Sequence, residues 1–147
     1  MRTPLLIPVL LFAYAGACHA VLGGAPETFG SAATTAAANT TAAGASYIER
    51  ATTLDGGTQV REYVSTGGTV FAVTWEGPNM PDLKALLGPY FDTLVAESQK
   101  APRAGRSPVG VNLPEVVINS GGHMRAYEGS AWIPAQLPAG LNPDALR

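Results

Sequence analysis

The sequence predicts an α+β domain: an antiparallel sheet with order β-β-β-α-β-β, one kinked helix on one face, and a disordered linker ahead of it. Three observations lead there. Short runs rich in β-branched and aromatic residues are separated by glycine pairs. A run of apolar residues at helical spacing follows from Leu83 to Val95. Two further strand-like runs then flank a third glycine pair.

The chain opens with MRTPLLIPVLLFAYAGACHA, where Arg2 precedes an apolar run and small residues approach Ala20. This is the layout of a secretory signal peptide, assigned to residues 1–20. Cleavage after Ala20 leaves small residues, Cys18 and Ala20, at the two places where the peptidase needs them, and the sole cysteine leaves with the signal. The competing reading takes Ala15-Gly16-Ala17-Cys18 as a lipoprotein box and makes Cys18 a lipid anchor. The two differ at the first mature residue, Val21 or an acylated Cys18. The apolar run is shorter than the roughly 20 residues of a membrane-spanning helix, and no later stretch supplies one.

An exported chain without a cysteine pair has no disulfide to lean on, so apolar burial must stabilise it alone. Loss of Arg2 moves the formal charge from -2 to -3. That balance, with no polybasic patch, argues against nucleic acid or anionic lipid as partner.

Residues 21–46 read as an Ala/Thr-rich flexible linker. SAATTAAANTTAAGAS, at 31–46, has too little large apolar surface to offset its ordering entropy. Its Thr and Ser residues are also a candidate stretch for O-glycosylation. The α+β domain is placed at 47–137. SYIERATTL, TQVREYV and TVFAVTWEG are its first three strands, joined by turns at Asp55-Gly56-Gly57 and Ser65-Thr66-Gly67-Gly68. Arg61 and Glu62, on the second run, read as solvated or cross-strand paired.

The helix begins near Asn79, a cap candidate, with Pro81 in its first turn and Asp82 at the positive end of its dipole. Leu83, Leu86, Leu87, Tyr90, Phe91, Leu94 and Val95 recur at helical spacing, as in a helix that covers the sheet, and Gly88-Pro89 predicts a kink or two short helices. Residues 101–114, with Arg103 and Arg106, read as an exposed loop. EVVINS and HMRAYEG form the last hairpin around Gly121-Gly122. SAWIPAQLP then runs out as an extended segment whose prolines exclude it from a central strand, and 138–147 is a flexible tail.

A Gly-Gly loop places Ser120 opposite His123 and makes the pair a candidate nucleophile and base for a small serine hydrolase. Under that register Glu128, the nearest carboxylate to orient the imidazole, falls on the opposite face, and no strand-turn-helix elbow carries the serine. His123 then reads as an ordinary turn-flanking side chain. A metal site would need three carboxylates from scattered loops beside one histidine, so no metal and no cofactor is assigned. The glycine pairs serve turn geometry and not phosphate binding, since no helix follows them; Gly23-Gly24 has no assignment. Tyr63, Phe71, Trp75, Tyr90, Phe91 and Tyr127 are assigned to the core. Trp132, in the proline-rich segment, either plugs the open end of the sheet or is offered to a partner.

The stretches REYVSTGGTVFAVTWEGPNMPDLKALLGPYF and INSGGHMRAYEGSAWIPAQLP, with LGG after the signal, resemble an uncharacterised family of exported proteobacterial proteins, the domain of unknown function 2844. The resemblance implies a periplasmic or secreted protein of a Gram-negative bacterium and brings no activity or catalytic residues. The reading is a non-enzymatic accessory or binding module, with Trp132, Arg103, Arg106 and Arg125 as candidate contacts to an envelope protein or small ligand.

Overall fold

The computed structural model describes residues 22–29, 32–100 and 109–146. The segments read as signal peptide and lipid-anchor site, and the loop carrying Arg103 and Arg106, lie outside the described residues.

Seven strands form a single antiparallel sheet: β1 (Thr34–Thr40), β2 (Ser46–Thr53), β3 (Gln59–Ser65), β4 (Val70–Gly77), β5 (Val109–Asn112), β6 (Val117–His123) and β7 (Ala126–Trp132). Their spatial order is β1-β2-β3-β4-β7-β6-β5. The first four strands meander. After the helices the chain re-enters at the far edge and works back, so β7 pairs with β4 in the middle.

The three strands expected between 47 and 76 are present, and their turns follow the glycines. Gly57 and Gly68 have φ of 83° and 82°, conformations that a side chain resists. The helical stretch is α1 (Leu83–Leu87) and α2 (Phe91–Lys100), joined by a 3₁₀ turn at Gly88–Tyr90. The break falls at the Gly-Pro pair, as its chemistry requires. The N-cap is Asp82, whose carboxylate accepts from the amides of Lys84 and Ala85. Asn79 is instead tied to the β2–β3 turn, donating to Gly56 O at 2.7 Å.

Four expectations are corrected. The stretch 101–114, read as an exposed loop, contains the edge strand β5 at Val109–Asn112, with Val111 buried. The linker contains a strand: β1 lies beside β2 over seven residue pairs. Ladder bonds and side-chain contacts hold it, not apolar burial. Thr34 and Thr52 hydroxyls meet at 2.8 Å, and Thr41 Oγ1 donates to Ala139 O at 2.6 Å. The SAW segment belongs to an interior strand, β7, because Pro134 follows the last ladder residue and removes no donor from it. Residues 138–146 return across the sheet, and Leu146 is buried against Tyr63, Phe71 and Ala72.

The sheet is buried unequally. On the helix face, Val60, Val64, Val73, Trp75, Ile118 and Ala131 pack against Leu86, Leu87 and Leu94. Alternation thus settles the final hairpin, with Val116 and Ile118 inward and Val117 only half-buried. Between Tyr63 and Val64 the register slips by one residue, leaving Phe71 as a bulge in β4. Tyr63, Phe71 and Ala72 consequently share the other face with Trp132 and the returning C-terminal segment. Where β7 leaves β4, Gly23 and Gly24 take its place: Gly23 N donates to Val70 O and Val70 N to Gly24 O, each at 2.8 Å. This gives the unassigned glycine pair a role in close backbone approach.

The β4–β7 contact depends on one glycine. Gly129 stands opposite Trp75, and a Cβ there would lie 2.1 Å from the indole ring and 2.6 Å from Asn119 O. Gly129→Ala is therefore expected to lower the unfolding free energy by about 3 kcal/mol in urea titration. At Gly110 an added Cβ meets only Asn119 Oδ1, at 3.8 Å, so Gly110→Ala should stay within about 0.5 kcal/mol of the wild type. Equal effects would contradict the packing argument.

Candidate functional site

The final hairpin turns later than its glycines suggest. Ser120 pairs with Gly129, Gly121 with Glu128, Gly122 with Tyr127 and His123 with Ala126. The loop residues are Met124 and Arg125. Gly122 serves a different need: its φ is 129°, and a Cβ would come within 2.3 Å of Ala126 O and 2.7 Å of Tyr127 Cα. The glycine permits the two strands to close beneath the tip.

This register separates the proposed nucleophile and base. Ser120 and His123 sit three residues apart on one strand, about 10 Å of rise, and start on opposite faces. They are not cross-strand neighbours. The structure brings no hydroxyl–imidazole pair together there.

What the register does create is an exposed tip. His123, Met124 and Arg125 are all exposed, and Met124 retains 85% of its accessible surface. Arg125 has φ of 68°, the only positive φ at a non-glycine among the described residues. A left-handed arginine costs about 1–2 kcal/mol that glycine would spare. Neither the exposed thioether nor the strained backbone benefits the fold.

Next to the tip lies the half of the sheet that no other described residues cover. The C-terminal segment protects the half around Tyr63, Phe71 and Trp132. The remainder is an open depression of about 1040 Å³, lined in part by Gln59, Arg61, Thr74, Glu76, Asn119 and Glu128. Glu76 and Glu128 are directly opposed across β4 and β7, an arrangement of like charges that destabilises a ladder. Arg61, on the same face, has its Nε 3.5 Å from Glu49 Oε1. Two acids thus lie beside a tip bearing histidine and arginine.

A further carboxylate is concealed on the helix face. Glu62 is 1% exposed; its Oε1 accepts from the amide of Glu27 at 2.9 Å, and its Oε2 lies 3.5 Å from Arg50 Nη1. Its cross-strand partner is the arginine of β2, as expected for this pair, but the site is buried, not solvated. Desolvation raises the Glu62 pKa above its ordinary 4.5, against the lowering effect of the Glu27 amide and Arg50.

Of the residues singled out from sequence, Arg125 is at the exposed tip. Trp132 is half-buried among Tyr63, Phe71 and Leu146, where it plugs the open face. Arg103 and Arg106 lie outside the described residues. Met124, Glu76 and Glu128 were not foreseen as a group; placing the loop three residues later would have exposed Met124, since an apolar residue in a two-residue turn has no core to enter. Among the described residues no group of three or more His, Cys, Asp or Glu is placed to hold a metal ion. No described helix is long and apolar enough to cross a membrane.

The sequence profile of one family, described as "Protein of unknown function (DUF2844)", matches residues 18–146. No curated protein and no solved structure matches.

A raised pKa means that Glu62 favours folding when neutral: its contribution is full below 4.5 and is lost as pH rises through the folded value. Glu62→Gln should therefore be at least as stable as the wild type at neutral pH, and its advantage should shrink as pH falls through the raised folded value towards 4.5 and change no further below it. Thermal denaturation across that range checks this, and a pH-independent difference would contradict it.

Proposed function

For this chain, which belongs to the DUF2844 family, we propose the function of an exported, non-enzymatic binding module of the bacterial envelope. It engages an envelope protein or small polar ligand through the β6–β7 tip and the adjoining acidic depression. Export rests on the composition of residues 1–20, with its positive start, apolar run and small-residue cleavage site.

The observation that carries the binding reading is Arg125 at φ 68° beside an 85% exposed Met124. Backbone strain and exposed apolar surface concentrated at one loop mark a position held for contact, not for stability. The opposed Glu76 and Glu128 carry the same signature onto the neighbouring face. The placement of Ser120 and His123 on opposite faces of β6 favours this reading over a serine hydrolase that uses the two together.

The test is a double variant, Met124→Ser with Arg125→Gly. It should be as stable as the wild type or more so, by up to about 1 kcal/mol, yet lose partner capture from a native envelope extract. Undiminished capture would contradict the proposal, and so would covalent labelling of Ser120 by a fluorophosphonate in the folded protein.

A further inference from the structure

We infer that β1 is the seam of a two-fold dimer, in which the β1 strands of two copies pair antiparallel about Ala37. The inference is independent of the hairpin tip, which lies beyond the other side of the sheet's centre.

The two edges of the sheet differ in how they are guarded. β5 is four residues long, with Pro108 and Pro114 near its ends in the sequence. Short length and proline discourage a further strand. β1 is seven residues, TTAAANT, without charge or proline, and its register with β2 runs unbroken. Six of its seven residues are exposed and only Asn39 is intermediate. Its turn is fixed to the rest of the molecule, as Thr41 bonds to Ala139 and a Cβ at Gly140 would press on Ala43 at 2.6 Å. The edge is therefore held in place and, among the described residues, pairs only with β2, with a row of outward N–H and C=O groups.

The residue order suits a second copy of the same strand. Outward-pointing residues alternate with inward-pointing ones, and in an antiparallel ladder like must meet like. A two-fold axis between identical strands must then pass through a residue. Ala37 is the midpoint of Thr34–Thr40, and an axis there uses the whole strand. Thr34 meets Thr40, Thr35 meets Asn39, Ala36 meets Ala38, and Ala37 meets itself. Polar ends and a small centre are thus self-complementary.

The flanking strands agree with this. Ile48, 41% exposed, lies beside Ala38 on the helix face, so pairing would cover an apolar strip of Ile48, Ala38 and Ala36. Glu49 lies beside Ala37 and already has Arg61. In the dimer the two Glu49 residues stand three strand spacings apart, about 14 Å, beyond the screening length of about 8 Å. No like charges are forced together.

The test is sedimentation equilibrium on the purified protein and on two variants, Ala37→Glu and Ala37→Lys, each checked for folding by circular dichroism. The wild type should be a dimer at high micromolar concentration. Ala37→Glu, which sets like charges on the axis, should weaken dimerisation roughly tenfold or more, and mixing it with Ala37→Lys should restore a heterodimer. A monomeric wild type, a dimer indifferent to Ala37→Glu, or a mixture that stays monomeric would each overturn the inference.

Discussion

The indole of Trp75 lying over Gly129 is the contact on which the rest of the structure depends. It joins the N-terminal meander to the hairpin made more than forty residues later, and it does so at the centre of the sheet. A side chain at Gly129 would push β7 off β4. With β7 seated, Ala131 enters the helix-side core beside Val73 and Ile118. The helices then have a continuous apolar surface to cover.

That seam also determines what is left over. Trp132 follows on the opposite face and, with Tyr63, Phe71 and the returning Leu146, closes one half of it. Glu76 and Glu128 lie on the other half of this face, in the depression that Leu146 borders. The hairpin tip projects from the same strand. Its strained arginine and the opposed carboxylates are tolerable because the seam behind them is well packed, and a few kcal/mol lost at a rim need not unfold a sheet whose central strand is buried on both faces. Buried Glu62 is a cost of another kind: a carboxylate on the helix face, under the strap that carries Glu27.

The first three strands of the domain and the interrupted helix were legible because each has a period and a punctuation mark. VREYV and VFAVTW alternate or run apolar between glycine turns, and Gly88-Pro89 breaks the helix where a donor is missing. β1 was not legible, since Ala and Thr offer no apolar stripe and the strand is held by its neighbour's ladder. The last hairpin misled for a physical reason: glycine pairs usually supply turn geometry, but Gly122 supplies strand contact, and the turn itself uses Arg125 at positive φ. Gly129 and Ser130 gave no apolar signal for a central strand, because the bulk at that position comes from Trp75 across the ladder. Of the candidate site, Arg125 was named in advance. Met124 and the acid pair depended on a register that the sequence alone did not specify.

Amide hydrogen exchange resolved by residue is the most direct test of the seam. Amides of β7 hydrogen-bonded to β4 should exchange only through global unfolding, with protection equal to that of β4 itself and well above that of the edge strand β1. Exchange of β7 at rates matching β1 would contradict the account, because the hairpin would then open without unfolding the domain and the Trp75–Gly129 contact would hold nothing together.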